Sequence, residues 1–191
     1  MRGSAGGASR LTKVMGEWLW STLVVPKTYR GPDANRGQPG WTMDQVIAAM
    51  WDDPVAIDVV RKLVAWAGER RLYVFGTTTK APALAWHVDA RGIDYRLFLA
   101  DSRLAKSQES KLWIPMHNLK KKPVLADPAR RAALIEALSV CFEIPRERAD
   151  KEPSILLSEL ADGYAFHVFT SAWEAVIDDI RRGSGNRRQP E

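Results

Sequence analysis

The sequence predicts an α+β domain: a small antiparallel sheet of three or four strands, with a pair of helices before it and a pair after it. Three observations carry that expectation. Apolar residues recur at helical spacing in two stretches, Ala56 to Ala67 and Phe169 to Ile180. Between them lie short apolar runs broken by Gly, Asp and Pro, the pattern of strands and turns. Those strands follow one another instead of alternating with helices, which disfavours a doubly wound parallel sheet.

The elements follow in chain order. Thr42 and Gln45 stand three apart, the spacing of a capping box, and open a helix running to about Trp51. Asp53-Pro54 restarts it: Asp53 caps, and Pro54 takes the first helical position, where its missing N–H costs nothing. Ala56, Val59, Val60, Leu63, Val64 and Ala67 then form one stripe, with Arg61, Lys62 and Glu69 facing outward. Leu72 to Phe75 reads as a strand that Gly76 breaks. Pro82 to Val88 and Tyr95 to Ala100 read as an antiparallel pair joined through Asp89-Ala90-Arg91-Gly92-Ile93. In the second of these, Tyr95, Leu97 and Leu99 alternate with Arg96, Phe98 and Ala100. Leu112 to Met116 is a further strand. Pro123 opposes a helix through Lys120-Lys121-Lys122. Asp127-Pro128 repeats the Asp53-Pro54 device and starts a helix carrying Ala132, Leu134, Ile135, Leu138 and Val140. Glu143 to Pro153 is charged and reads as loop. Phe169, Trp173, Val176, Ile177 and Ile180 form the stripe of a last helix.

The chain has 191 residues, 46% of them apolar and 27% charged, within the range of a folded soluble domain with a sizeable core. Its single cysteine, Cys141, excludes an internal disulfide and a thiolate metal cluster. The apolar run around Cys141 predicts a buried, inert thiol. No apolar stretch reaches the length of a membrane span, and Leu19 to Val25 lacks the form of a signal peptide, so a cytoplasmic protein without membrane partners is expected.

The formal net charge is +5, but it is unevenly placed. Residues 1–40 carry +4 and residues 181–191 carry +3, leaving −2 on residues 41–180. The basicity therefore belongs to the ends. Residues 1–40 are expected to form a flexible basic extension holding a short amphipathic helix. Residues 41–181 are expected to form a single globular domain, and 182–191 a disordered basic tail rich in Gly, Ser and Arg.

Four constellations bear on chemistry. Glu109-Ser110-Lys111, with Asp89, Asp94 and Asp101 upstream, has the residue types of a Mg²⁺ nuclease, in which two carboxylates hold the metal and a lysine places the attacking water. The plain alternative is a polar loop. His87, His117 and His167 lack the tight spacing of a zinc site, and His87 reads as a surface-facing strand residue, so no metal and no cofactor are expected. Gly76-Thr77-Thr78-Thr79-Lys80 has the composition of a phosphate-cradling turn but not the ending of a P-loop, which favours an ordinary turn. Finally, Arg103, Lys106, Lys111, Lys120, Lys121 and Lys122 outnumber Asp101 and Glu109, and Trp113 lies among them. Basic side chains beside an aromatic suit phosphates and stacked bases.

From Leu72 to Arg181 the chain resembles a group of small bacterial domains to which no activity is attached. The resemblance rests on Gly76-Thr77-Thr78-Thr79-Lys80, Arg96-Leu97-Phe98, Lys122-Pro123 with Asp127, and the run Pro153 to Asp162. It implies no catalytic residue. The chain departs from the pattern between Asp101 and Lys111, where its polar stretch is longer. The expected function is thus a non-enzymatic bacterial module binding nucleic acid, or a protein partner, through residues 103–122. The alternatives are a small Mg²⁺-dependent nuclease using Asp101, Glu109 and Lys111, and a protein-interaction domain using Trp18-Leu19-Trp20.

Overall fold

A computed structural model describes residues 40–50, 52–78, 81–102 and 109–183. The chain divides into two units, Met1–Arg30 and Gly31–Glu191, and every described residue belongs to the second. The helix expected within residues 1–40, the Trp18-Leu19-Trp20 segment and the tail beyond Gly183 lie outside the described residues.

Two capped helices open the unit, α1 (Met43–Ala49) and α2 (Pro54–Glu69). The capping box is present: Gln45 N–H donates to Thr42 Oγ1 at 3.2 Å, and Thr42 N–H donates to Gln45 Oε1 at 2.8 Å. Asp53 caps α2 by accepting from Ala56 N–H at 2.9 Å. The α2 stripe is buried as its spacing predicts, and Trp66 joins it.

The sheet has strands β1 (Tyr73–Gly76), β2 (Ala83–Ala90), β3 (Ile93–Asp101), β4 (Lys111–Trp113) and β5 (Ser154–Leu156). They stand side by side in chain order, every neighbouring pair antiparallel. The fold is α+β, with five strands rather than three or four. The additional strand, β5, is only three residues long, too short for an alternation to reveal it. Between β4 and β5 the chain runs through α3 (Met116–Leu119), α4 (Pro128–Leu138) and α5 (Arg146–Ala149). A 3₁₀ turn (Leu157–Ala161) and the long helix α6 (Gly163–Gly183) follow β5.

One face of the sheet carries the core. Val74, Trp86 and Phe98 lie in one row across β1, β2 and β3. The Trp86 indole donates to the Leu63 carbonyl of α2 at 3.3 Å. The Phe98 ring lies 5.0 Å from Trp86, 5.2 Å from Phe169 and 5.4 Å from Trp173, the last two on α6. Helices α2 and α6 therefore cover the same face. Phe98 reaches it because the β2–β3 register shifts between Trp86 and His87, pairing Trp86 with Phe98 but His87 with Arg96. This bulge overturns the simple alternation expected for β3. Tyr95, Leu97, Phe98 and Ala100 are all buried, while Leu99 is half-exposed.

Three further expectations are corrected. His87 is buried, at 2% exposure, because it lies on the second of five strands with its ring 4.5 Å from Phe75 and its Nδ1–H donating to Asp94 at 2.8 Å. Cys141 is half-exposed and Val140 is exposed, because α4 ends at Leu138 and the following turn leaves the core. The strand expected at Leu112 to Met116 stops at Trp113, and Met116 instead begins α3. Among the described residues, no helix is long and apolar enough to cross a membrane.

Candidate functional site

Arg103 and Lys106 lie outside the described residues. The rest of the expected basic patch falls in two settings. Lys111 and Trp113 are half-exposed on β4, on the sheet face opposite α2 and α6. Trp113 lies in a row running Phe75, Ala85, Leu99, Trp113 and Ser154 across the five strands. Lys120 and Lys121 are exposed, and Lys122 half-exposed, on the turn that follows α3.

The lysine turn is built by two buried anchors. Met116 and Leu119, at 0% and 1% exposure, bury the inner side of α3. The outer side is left to His117, Asn118, Lys120 and Lys121. Lys120 N–H donates to Met116 O at 2.9 Å, Lys121 N–H to Asn118 O at 3.1 Å, and Lys122 N–H to Leu119 O at 2.9 Å, so the three lysines ride on a hydrogen-bonded backbone. Beyond Pro123 the chain is anchored again by the buried Val124 and Leu125. Burial raises the pKa of the Tyr95 phenol above its ordinary 10.0, and the Val124 backbone partly offsets the rise.

A fourth lysine stands beside this turn. His117 N–H donates to the Lys151 carbonyl at 2.9 Å, and its Nδ1–H donates to the same oxygen at 3.3 Å. Arg131 clamps the region from the side. Its Nη1 donates to the Leu125 and Ala126 carbonyls at 2.8 Å each, and its Nε to Asp150 at 3.2 Å. One guanidinium thus ties the segment after the lysine turn to the residue before Lys151. Among the described residues, none of Lys120, Lys121, Lys122 and Lys151 has an ion-pair partner. Lys151 was not legible as part of the patch: it sits in a charge-balanced loop, 34 positions from His117. The role of Arg131 was equally hidden, since an Arg in a first helical turn carries no sign of a clamp.

For the nuclease reading, the β3–β4 register sets Asp101 directly opposite Lys111. Glu109 is exposed on the bend before β4, whereas Asp101 is 1% exposed, so the two carboxylates sit in unlike surroundings. The three histidines lie on β2, α3 and α6. Among the described residues, no group of three or more His, Cys, Asp or Glu side chains is placed to hold a metal ion. Gly76 belongs to β1, and the Thr77 backbone is already engaged: its N–H donates to Ala83 O at 2.9 Å, and its carbonyl accepts from Trp41 N–H at 3.0 Å. Thr79 and Lys80 lie outside the described residues.

On the face that carries Lys111, burial lowers the Arg96 pKa below its ordinary value. No family model matches this chain, and neither does any curated protein or solved structure. The chain's own geometry therefore carries the functional reading.

Proposed function

We propose that the domain is a non-enzymatic nucleic-acid-binding module whose contact surface is the lysine turn, Lys120 to Lys122, joined by Lys151. The supporting observation is that Lys120, Lys121 and Lys122, without ion-pair partners among the described residues, follow one another on a hydrogen-bonded turn, and that the backbone of Lys151 is bonded to the helix leading into it, in a domain otherwise slightly acidic. Exposed lysines are point charges suited to phosphate, and each phosphate neutralised releases counterions. Placing such charges together costs the fold little. At a separation of about 6 Å, two unit charges in water repel by roughly 0.7 kcal/mol, and salt screens part of that.

Fluorescence anisotropy of the full chain on a labelled duplex across a salt series tests the reading. The basic ends contribute to binding in every variant, so the comparison is between wild type and the triple substitution Lys120→Ala, Lys121→Ala and Lys122→Ala. The triple variant is expected to bind at least about tenfold more weakly at low salt. Its log–log salt slope should be shallower by about 2.7, or about 0.9 for each phosphate that no longer meets a lysine. Equal affinity and equal slope would assign all binding to the ends and end this proposal.

A further inference from the structure

Resting on the reading above, we infer that the lysine turn takes duplex nucleic acid by its phosphodiester backbone, without stacking on bases. The sequence placed an aromatic, Trp113, among the basic residues, which is the composition of a single-strand platform. The structure puts them on different elements. Trp113 is on a strand, in the row with Phe75, Ala85 and Leu99, while the lysines are on the turn after α3. On the face that holds Trp113, Ala85, His87 and Asp101 are 1%, 2% and 1% exposed, while Phe75, Leu99 and Trp113 are half-exposed.

Among the described residues, the exposed neighbours around the lysine turn are His117, Asn118, Pro123, Ala126 and Asp127, with Asp150 and Glu152 on either side of Lys151. Only His117 has an aromatic ring, and its Nδ1–H is committed to the Lys151 carbonyl, which holds that edge against the segment after α5. Among the described residues, the exposed large apolar side chains are Val55, Val140 and Tyr164, all on other segments. No arginine of the turn offers the planar fork that reads guanine, and Arg131 is spent on the clamp. A cluster of ammonium groups without a stacking partner distinguishes ligands by charge density alone. Duplexes carry about one phosphate charge per 1.7 Å of axis and release more counterions per contact than single strands.

The experiment measures the lysine-dependent part of binding, wild type against the triple alanine variant, on four ligands of equal length: duplex DNA, duplex RNA, oligo-dT and oligo-dA. Three phosphate contacts, one for each lysine removed, make the lysine-dependent binding of a single strand weaker than that of a duplex by about threefold at about 0.15 M salt, from the difference between slopes of about 0.9 and 0.7 per contact. DNA and RNA duplexes should fall within about twofold of each other, and oligo-dT and oligo-dA likewise, since no base is read. Tighter lysine-dependent binding to either single strand than to the duplexes would overturn the inference and leave the proposed surface standing. So would a preference above about tenfold between oligo-dT and oligo-dA. A triple variant indistinguishable from wild type on all four ligands would remove the surface itself.

Discussion

Gly76 shows how much can depend on one absent side chain. A Cβ there would overlap the Trp41 carbonyl oxygen, a backbone atom that cannot swing aside. The approach is held in place, because Trp41 N–H bonds Thr77 O next to it. Gly76 does not break the strand as expected: it is the last residue of β1 and pairs with Leu84. The glycine is there because another segment crosses it. Gly76→Ala should destabilise the domain by about 3 kcal/mol, at the upper end of what overpacking costs, read as a drop in the urea midpoint with an unchanged slope. A variant as stable as wild type would mean that the Gly40-Trp41 segment is not held against β1. His87 teaches a related lesson at the same scale. Its place in Ala85-Trp86-His87-Val88 looked like an outward strand position, yet burial follows the sheet around it, and no single strand announces what lies on its far side.

At the scale of elements, what was legible was local chemistry. Asp53-Pro54 and Asp127-Pro128 both cap helices where expected, with Asp127 accepting from Ala129 N–H at 2.9 Å. These signals work because a cap needs only residues within one turn of itself. The β2–β3 hairpin was found for the same reason, and its turn is tighter than the five residues first assigned to it. Arg91 and Gly92 are the two central residues, both with positive φ, 55° and 73°, and Asp89 Oδ1 accepts from Gly92 N–H at 3.1 Å. Glycine takes that conformation freely, whereas arginine does not. Arg91→Asn should therefore stabilise the domain by about 0.5–1 kcal/mol, with a rise in the thermal midpoint of about 2–4 °C for each kcal/mol at this size. No rise, or a fall, would show that the Arg91 side chain makes a compensating contact. The bulge in the same hairpin was not legible. One added residue in β3 is invisible to a period-two pattern, and it is what turns Phe98 inward.

For the whole molecule, Phe98 is the point where the layers meet. It touches Trp86 of the sheet and Phe169 and Trp173 of α6, and Trp66 of α2 lies 6.3 Å away. Phe98→Ala would leave a cavity common to three elements. About 4 kcal/mol of destabilisation is expected, a large share of the roughly 5–15 kcal/mol a domain of this kind has in total. Thermal and urea unfolding should both show it, and a loss under about 1 kcal/mol would mean that the sheet, α2 and α6 do not share one core. The candidate surface depends on the same long-range assembly. Lys120 to Lys122 could be read as a charge run, but their neighbour Lys151 and the clamp at Arg131 exist only because distant segments are bonded together.

The sequence by itself determined the fold class, the starts of α1, α2 and α4, the hairpin and the uneven charge that sets slightly acidic residues 41–180 against basic ends. Each of those follows from residues near one another along the chain. Only the tertiary structure decided the rest: the fifth strand, the inward turn of Phe98, the burial of His87, and the division of one basic stretch between a sheet face and a turn. The physical reason is that burial and juxtaposition are properties of what packs on a residue, and a short segment's pattern says nothing of what arrives from elsewhere in the chain.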